Sequence, residues 1–135
     1  MSERVIDNPV VKRNLLYSTK ASDGDLNAAA GRFIERERYG EALEFLERTR
    51  DAALLGKIRE EAARHGDTFL LLRVEKLSGE AIPADEWRAV AGTAESHGKY
   101  YDAYRALGKA GDEEAAEAIR EEHMPEYEPF RPEGK

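Results

Sequence analysis

The sequence predicts an all-α fold of antiparallel helical hairpins stacked as a short α-solenoid of about three and a half units. The first observation behind this is an ungapped internal repeat at an offset of 61 residues. It pairs Ala30 with Ala91, Gly31 with Gly92, Tyr39 with Tyr100, Ala42 with Ala103, Leu46 with Leu107 and Asp51 with Asp112. The tract Ile58-Arg59-Glu60-Glu61 then returns as Ile119-Arg120-Glu121-Glu122. Residues 30–61 and 91–122 share ten identities in 32 positions, against roughly two for unrelated chains of ordinary composition. The second observation is an apolar spacing of helical period, with no alternation of period two. The third is punctuation: His65-Gly66 recurs as His97-Gly98, and Gly79 as Gly111, at an offset of 32. The longer period therefore holds two units of about thirty residues, each a pair of helices joined by a tight turn. Such a unit cannot bury its own apolar face and must stack on a neighbour, which points to an interaction surface rather than a catalytic centre.

Residues 1–22 read as an N-terminal capping segment with one short helix. Asn8 is its N-cap, Pro9 takes the first helical position, and Val10, Val11, Leu15 and Leu16 form an apolar patch. The repeat domain spans 23–124. Its first two helices carry Leu26, Ala30 and Phe33, then Tyr39, Ala42 and Leu46, with Gly40 near the break between them. The next carries Leu54, Leu55, Ile58 and Ala62 and stops at His65-Gly66. The stretch Phe69 to Leu77 is apolar over most of its circumference, so it is expected to be the most buried helix. Then come Trp87, Val90, Ala91 and Ala94, followed by Tyr100, Ala103, Tyr104 and Leu107, which end at Gly111. A last helix begins at Asp112, with a thin stripe of Ala115, Ala116 and Ile119. In the tail, 125–135, Pro125, Pro129 and Pro132 forbid a continued helix and predict an extended segment bearing Tyr127 and Phe130.

Composition narrows the functional classes. At 135 residues the chain reads as one domain, long enough for its own core. Hydrophobic residues at 41% and charged residues at 36%, interspersed at helical period, argue against disorder. A net charge of -7 opposes the counterion release on which nucleic-acid affinity depends, so no nucleic acid is expected as ligand. The absence of cysteine removes disulfides, thiolate catalysis and thiolate zinc sites. Glutamine is absent too, and with dense Glu, Arg and Lys this resembles a heat-adapted composition. No signal-peptide pattern opens the chain, and no stretch approaches the ~20 apolar residues that span a bilayer. The expectation is a soluble, cytoplasmic protein with no membrane partner.

From Trp87 onward the spacing resembles the tetratricopeptide pattern. Trp87 stands in its opening aromatic place, Val90-Ala91 in the large-then-small pair, Gly98 at the turn and Tyr100 in the aromatic place after it. Ala103, Leu107 and Ala110 occupy the core places of the second helix. The first unit is similar through Leu26, Ala30, Phe33, Tyr39, Ala42 and Leu46, whereas the middle unit keeps only Ala62, Gly66 and Leu71 and has Thr68 where the aromatic belongs. The units are shorter than the family's and lack its terminal proline, as in short-helix solenoids of the clathrin or coatomer type. The resemblance implies a superhelical scaffold whose first helices line a concave groove for a peptide or partner protein. By position it places Asn27, Gly31, Arg88, Gly92 and Glu95 in that groove. The Lys and Asn pair with which some members clamp a C-terminal carboxylate is missing.

Other constellations give way to simpler readings. Gly31 and Gly92 lie inside helices at a cost of about 1 kcal/mol each, which either close helix packing or a ligand lying on the groove floor would offset. His65 and His97 each precede a helix-ending glycine, where imidazole meets the negative end of the helix dipole. Without converging ligands they predict no metal, and no cofactor is expected. His123 adds nothing specific. Glu60-Glu61 and Glu121-Glu122 read as solvated pairs beside Arg59 and Arg64. No P-loop, dinucleotide fingerprint or Ser, His and Asp grouping appears, so the chain does not read as an enzyme. Tyr101 and Tyr104 lie three apart on one face, either for an interface or for packing against the last helix or tail. The tail itself reads as a linear docking motif, a fold-back or an inert end. The sequence thus predicts a protein-binding adaptor or scaffold subunit, with a self-associating subunit stacked through Ala115, Ala116 and Ile119 as the alternative.

Overall fold

Caps and left-handed residues set the helix boundaries. A computed structural model describes residues 4–129, and among them are nine α-helices. They are α1 (Arg4–Asp7), α2 (Pro9–Leu16), α3 (Asp23–Glu35), α4 (Tyr39–Thr49), α5 (Ala52–His65), α6 (Thr68–Ser78), α7 (Ala84–Ser96), α8 (Tyr100–Ala110) and α9 (Glu113–His123). The fold is all-α, and in topology it is the succession of antiparallel hairpins that the repeat predicts. The chain divides into two compact units, Met1–Ala62 with Phe69–Ala81 and Ala63–Thr68 with Ile82–Lys135.

In the first unit, Asn8 caps α2 as expected, its Oδ1 accepting from the Val10 and Val11 amides at 2.9 and 3.3 Å. The expected apolar patch of α2 is not a core. None of its residues is buried, and Val10 is 53% exposed. The apolar cover comes instead from Val5 and Ile6 of α1, a single turn too short to show a period. Charge attaches α2 to α4: Lys12 Nζ lies 3.1 Å from Glu41 Oε2 and 2.7 Å from Glu44 Oε2. Arg38 Nη1 donates to the Ile6 carbonyl at 3.3 Å, and Arg48 Nη1 to that of Ser18 at 2.8 Å. Lys12 and Arg38 also stand 5.6 and 5.1 Å from the centre of the Phe33 ring.

The hydrogen bond from Arg38 holds the Glu41 carboxyl below its ordinary range; partial burial opposes this and Lys12 adds to it. Burial pulls the Lys12 ammonium down, but its bonds to Glu44 and Glu41 together outweigh burial and raise it. A depressed carboxylate contributes stability above its unfolded value of about 4.3 and loses it as pH falls through the folded value. Glu41→Gln is therefore expected to lower the Tm at about pH 7, with the difference from wild type shrinking as pH falls below about 4.3, read by circular dichroism.

Hairpin α3–α4 buries Leu26, Ala29, Ala30 and Phe33 against Ala42, Leu43, Phe45 and Leu46. The Phe33 and Phe45 rings stack at 5.7 Å. Gly40 lies near the break, in the first turn of α4; Glu37, with φ 59°, makes the turn. On α5, Leu55, Ile58 and Ala62 are buried. Leu55 shares a cleft of about 130 Å³ with Val74 of α6, so the two helices face each other. The expectation that α6 is the most buried helix fails, since Phe69, Arg73, Lys76 and Ser78 are exposed whereas in α4 only Glu47 and Arg48 are. Phe69 is 45% exposed, because the cover falls on the arc of Leu70, Leu71 and Val74.

In the second unit α7 buries Trp87, Val90, Ala91 and Ala94, and α8 buries Ala103 and Ala106. On α9 Ala116 and Ile119 are buried, while Ala115 points to solvent. The 61-residue repeat reappears as backbone conformation. Glu37 (φ 59°) corresponds to Gly98 (φ 74°), and Arg50 (φ 50°) to Gly111 (φ 84°). After each first turn the same bond closes, Arg38 N–H to the Phe33 carbonyl at 2.9 Å and Lys99 N–H to the Ala94 carbonyl at 2.8 Å. The left-handed region costs an L-residue roughly 1–2 kcal/mol and glycine nothing. Glu37→Gly and Arg50→Gly are thus each expected to raise stability by about 1 kcal/mol in urea unfolding.

Candidate partner-binding surface

The residues that the sequence singles out fall into three settings. In the first, Asn27 and Arg88 are hairpin latches at equivalent places. Asn27 Nδ2 donates to Asp51 Oδ2 at 3.3 Å and its Oδ1 accepts from Thr49 at 2.6 Å. Arg88 Nε donates to Asp112 Oδ2 at 2.8 Å and its Nη1 to Asp85 at 2.6 Å. The repeated Asp51 and Asp112 precede the next helix, and Asp51 Oδ1 also accepts from the Leu54 amide at 2.9 Å. The bond to Asp112 holds Arg88, an exposed residue, above its ordinary pKa.

The second setting is open helix surface. A Cβ built on Gly31 or on Gly92 would meet no atom within 4 Å. Among the described residues the close helix packing expected as one reason for these glycines is absent. Glu95, one turn beyond Gly92 on α7, is exposed. Arg88, Gly92 and Glu95 thus share one face of α7, and Asn27 and Gly31 share the matching face of α3. Alanine is expected to stabilise the isolated chain by about 0.5–1 kcal/mol at either glycine, measured by urea unfolding.

In the third setting the aromatic pair meets the tail. Tyr101 and Tyr104 lie 6.2 Å apart, and the Tyr127 ring stands edge-on to both at 5.3 and 5.7 Å. The Tyr101 and Tyr127 hydroxyls are 3.4 Å apart, and Arg120 Nη1 donates to the Tyr127 carbonyl at 3.1 Å. That hydroxyl contact lowers the Tyr101 pKa, aided by Arg105, and together with burial raises that of Tyr127, where Arg105 opposes it. Of the tail readings, the fold-back holds for residues up to Pro129; Phe130 and Pro132 lie outside the described residues. Tyr100, expected in the core, is half-buried and stacks face to face on His123 at 3.6 Å. That gives His123 a role that no spacing signalled.

Sequence reasoning missed two further residues. Thr68 is fully buried, and its hydroxyl donates to the Asp102 carbonyl at 2.7 Å. This explains why the aromatic of the repeat pattern is absent there, since a ring would displace that bond. The Asp102 side chain is held above the ordinary carboxylate range, first by burial and then by Asp67. Gly66 and Gly98 both take left-handed φ after a histidine, as the helix-end reading requires. Among the described residues no three His, Cys, Asp or Glu side chains converge as a ligand set, and no helix is long and apolar enough to cross a membrane.

The fold and these surfaces define an all-helical protein of packed hairpins, consistent with a helical-repeat architecture. No protein-family model, curated protein or solved structure is significantly similar to the chain.

Proposed function

We propose that the chain is a tetratricopeptide-like, cytoplasmic adaptor that binds a peptide or partner protein on the equivalent face that α3 and α7 each present within its own unit. The observation that carries this reading is the pair of helical glycines, half-buried Gly31 and exposed Gly92, at equivalent places of the repeat, each with open space where a Cβ would stand. Each costs a helix about 1 kcal/mol, and among the described residues no neighbour accounts for either. A ligand backbone lying close over the helix does. Glu95 and the Arg88 latch flank that contact with charge of both signs, which suits selection of the ligand rather than raw affinity. The reading makes the protein a binding module rather than an enzyme, with neither nucleic acid nor membrane as partner.

The test is a paired substitution that the open space admits. Gly31→Arg with Gly92→Arg should leave the far-UV spectrum and Tm close to wild type yet abolish capture of partners from lysate. Partners retained equally by the folded double variant would sink the proposal. The self-associating alternative loses most of its expected face, because Ala116 and Ile119 are buried within their unit. Light scattering over a range of concentrations should report a constant monomer mass.

A further inference from the structure

The repeat makes α9 the counterpart of α5, with Ala116 in the place of Leu55 and Ile119 in that of Ile58. In the first unit α6 covers this neighbourhood. Its Val74 faces Leu55, and its Arg73 guanidinium lies 3.3 Å from where a Cβ on Gly40 would stand. In the second unit the counterpart of Gly40 is Tyr101, and what lies over it is not a helix but Tyr127. That cover is incomplete. Leu43 and Leu46 are fully buried, whereas their counterparts Tyr104 and Leu107 are only half-buried. A cleft of about 640 Å³ stays open beside Tyr127, walled by α8 and α9. In sequence, Phe130 to Lys135 stand at the register of α6 but carry Pro132 and Gly134 and lack its apolar spacing.

We infer that the α8–α9 cleft is a docking site for an amphipathic helix of a partner protein, which takes the place α6 holds in the first unit and displaces Tyr127. The walls specify the chemistry of that helix. Arg105 and Lys109 line the α8 side, and Glu113 and Glu117 the α9 side. The matching ligand carries an apolar stripe with an acidic edge toward α8 and a basic edge toward α9. Tyr127 acts as a competitor built into the chain, held by edge contacts, a long hydroxyl contact with Tyr101, the Arg120 bond and a local turn bond to the Met124 carbonyl. This site does not depend on the glycine faces of α3 and α7.

The repeat itself supplies the probe: a peptide of residues 67–81, stapled across Phe69 and Arg73 so that it stays helical, titrated into the isotope-labelled full chain and followed by NMR. Saturable shifts confined to α8, α9 and residues 124–129 are expected. Tyr127→Ala should tighten binding about fivefold or more, because the competing state is removed. Gly108→Arg enters open space on the cleft wall and should abolish binding while leaving the helical spectrum intact. Absence of saturable shifts in both wild type and Tyr127→Ala overturns the inference, as do shifts centred elsewhere. A concentration-dependent dimer of Tyr127→Ala assigns the cleft to a second copy and also overturns it. Binding seen only in Phe130→Ala assigns it to the chain's own tail, with the same consequence.

Discussion

Gly66→Ala is expected to destabilise the protein by about 3–5 kcal/mol, the largest loss for any single added methyl. Two causes coincide at this residue. Its φ is +66°, where an L-side chain is strained. An added Cβ would also stand 2.6 Å from the Ala94 nitrogen, 2.8 Å from its Cα and 3.1 Å from the Thr93 carbonyl carbon. These are backbone atoms in the last turns of α7, so no rotamer change can clear them. Relief requires moving the helix that carries Trp87 and Val90. Gly98→Ala separates the two causes, since Gly98 has φ +74° but nothing within 4 Å of its Cβ. It should cost only about 1 kcal/mol. Urea unfolding of the two variants side by side gives the cost of the close approach as their difference; equal losses would mean that α7 does not lie against this turn.

The same contact shows what the sequence could and could not announce. Gly66 was readable as a helix end from His65-Gly66, but nothing local reveals that a second helix approaches its backbone. The trace it leaves is at a distance: the repeat has Phe33 in the first unit and Ala94 in the second, where the turn occupies the space. Apolar spacing identified the hairpins, since a helical stripe is dictated by period alone. Turn positions were less clear, because Glu37 and Arg50 adopt left-handed backbone without the glycine that signals it in their counterparts. Side chains that act through distant partners gave no signal. Thr68 bonds a carbonyl 34 residues away, and His123 finds Tyr100 across a hairpin. In the candidate site, Gly31 and Gly92 were noticeable as costs within a helix, yet only the structure shows that no packing compensates. Asn27 and Arg88 matched the groove places of the family pattern, and the structure adds that both bind the aspartate after their own hairpin.

Trp87→Ala is expected to cost about 3–5 kcal/mol by loss of burial plus the cavity left behind. Trp87 is 1% exposed and is the largest fully buried side chain, with Lys109 Nζ 5.5 Å from its ring centre. The repeat indicates why the cavity would not collapse. In hairpin α3–α4 the bulk comes from the stacked Phe33 and Phe45, and the place of Trp87 is filled by Leu26. In α7–α8 the counterparts of those phenylalanines are Ala94 and Ala106, so the indole supplies volume that two rings supply elsewhere. Small neighbours on rigid helices cannot move in to replace it. Trp87→Leu, which restores the residue of the other hairpin, should therefore still lose about 2 kcal/mol, because the paired rings are not restored with it. The chain has one tryptophan, so the transition must be followed by far-UV circular dichroism rather than fluorescence. A Leu variant as stable as wild type would show that the two hairpin cores are interchangeable and that the repeat divides its volume differently from this account.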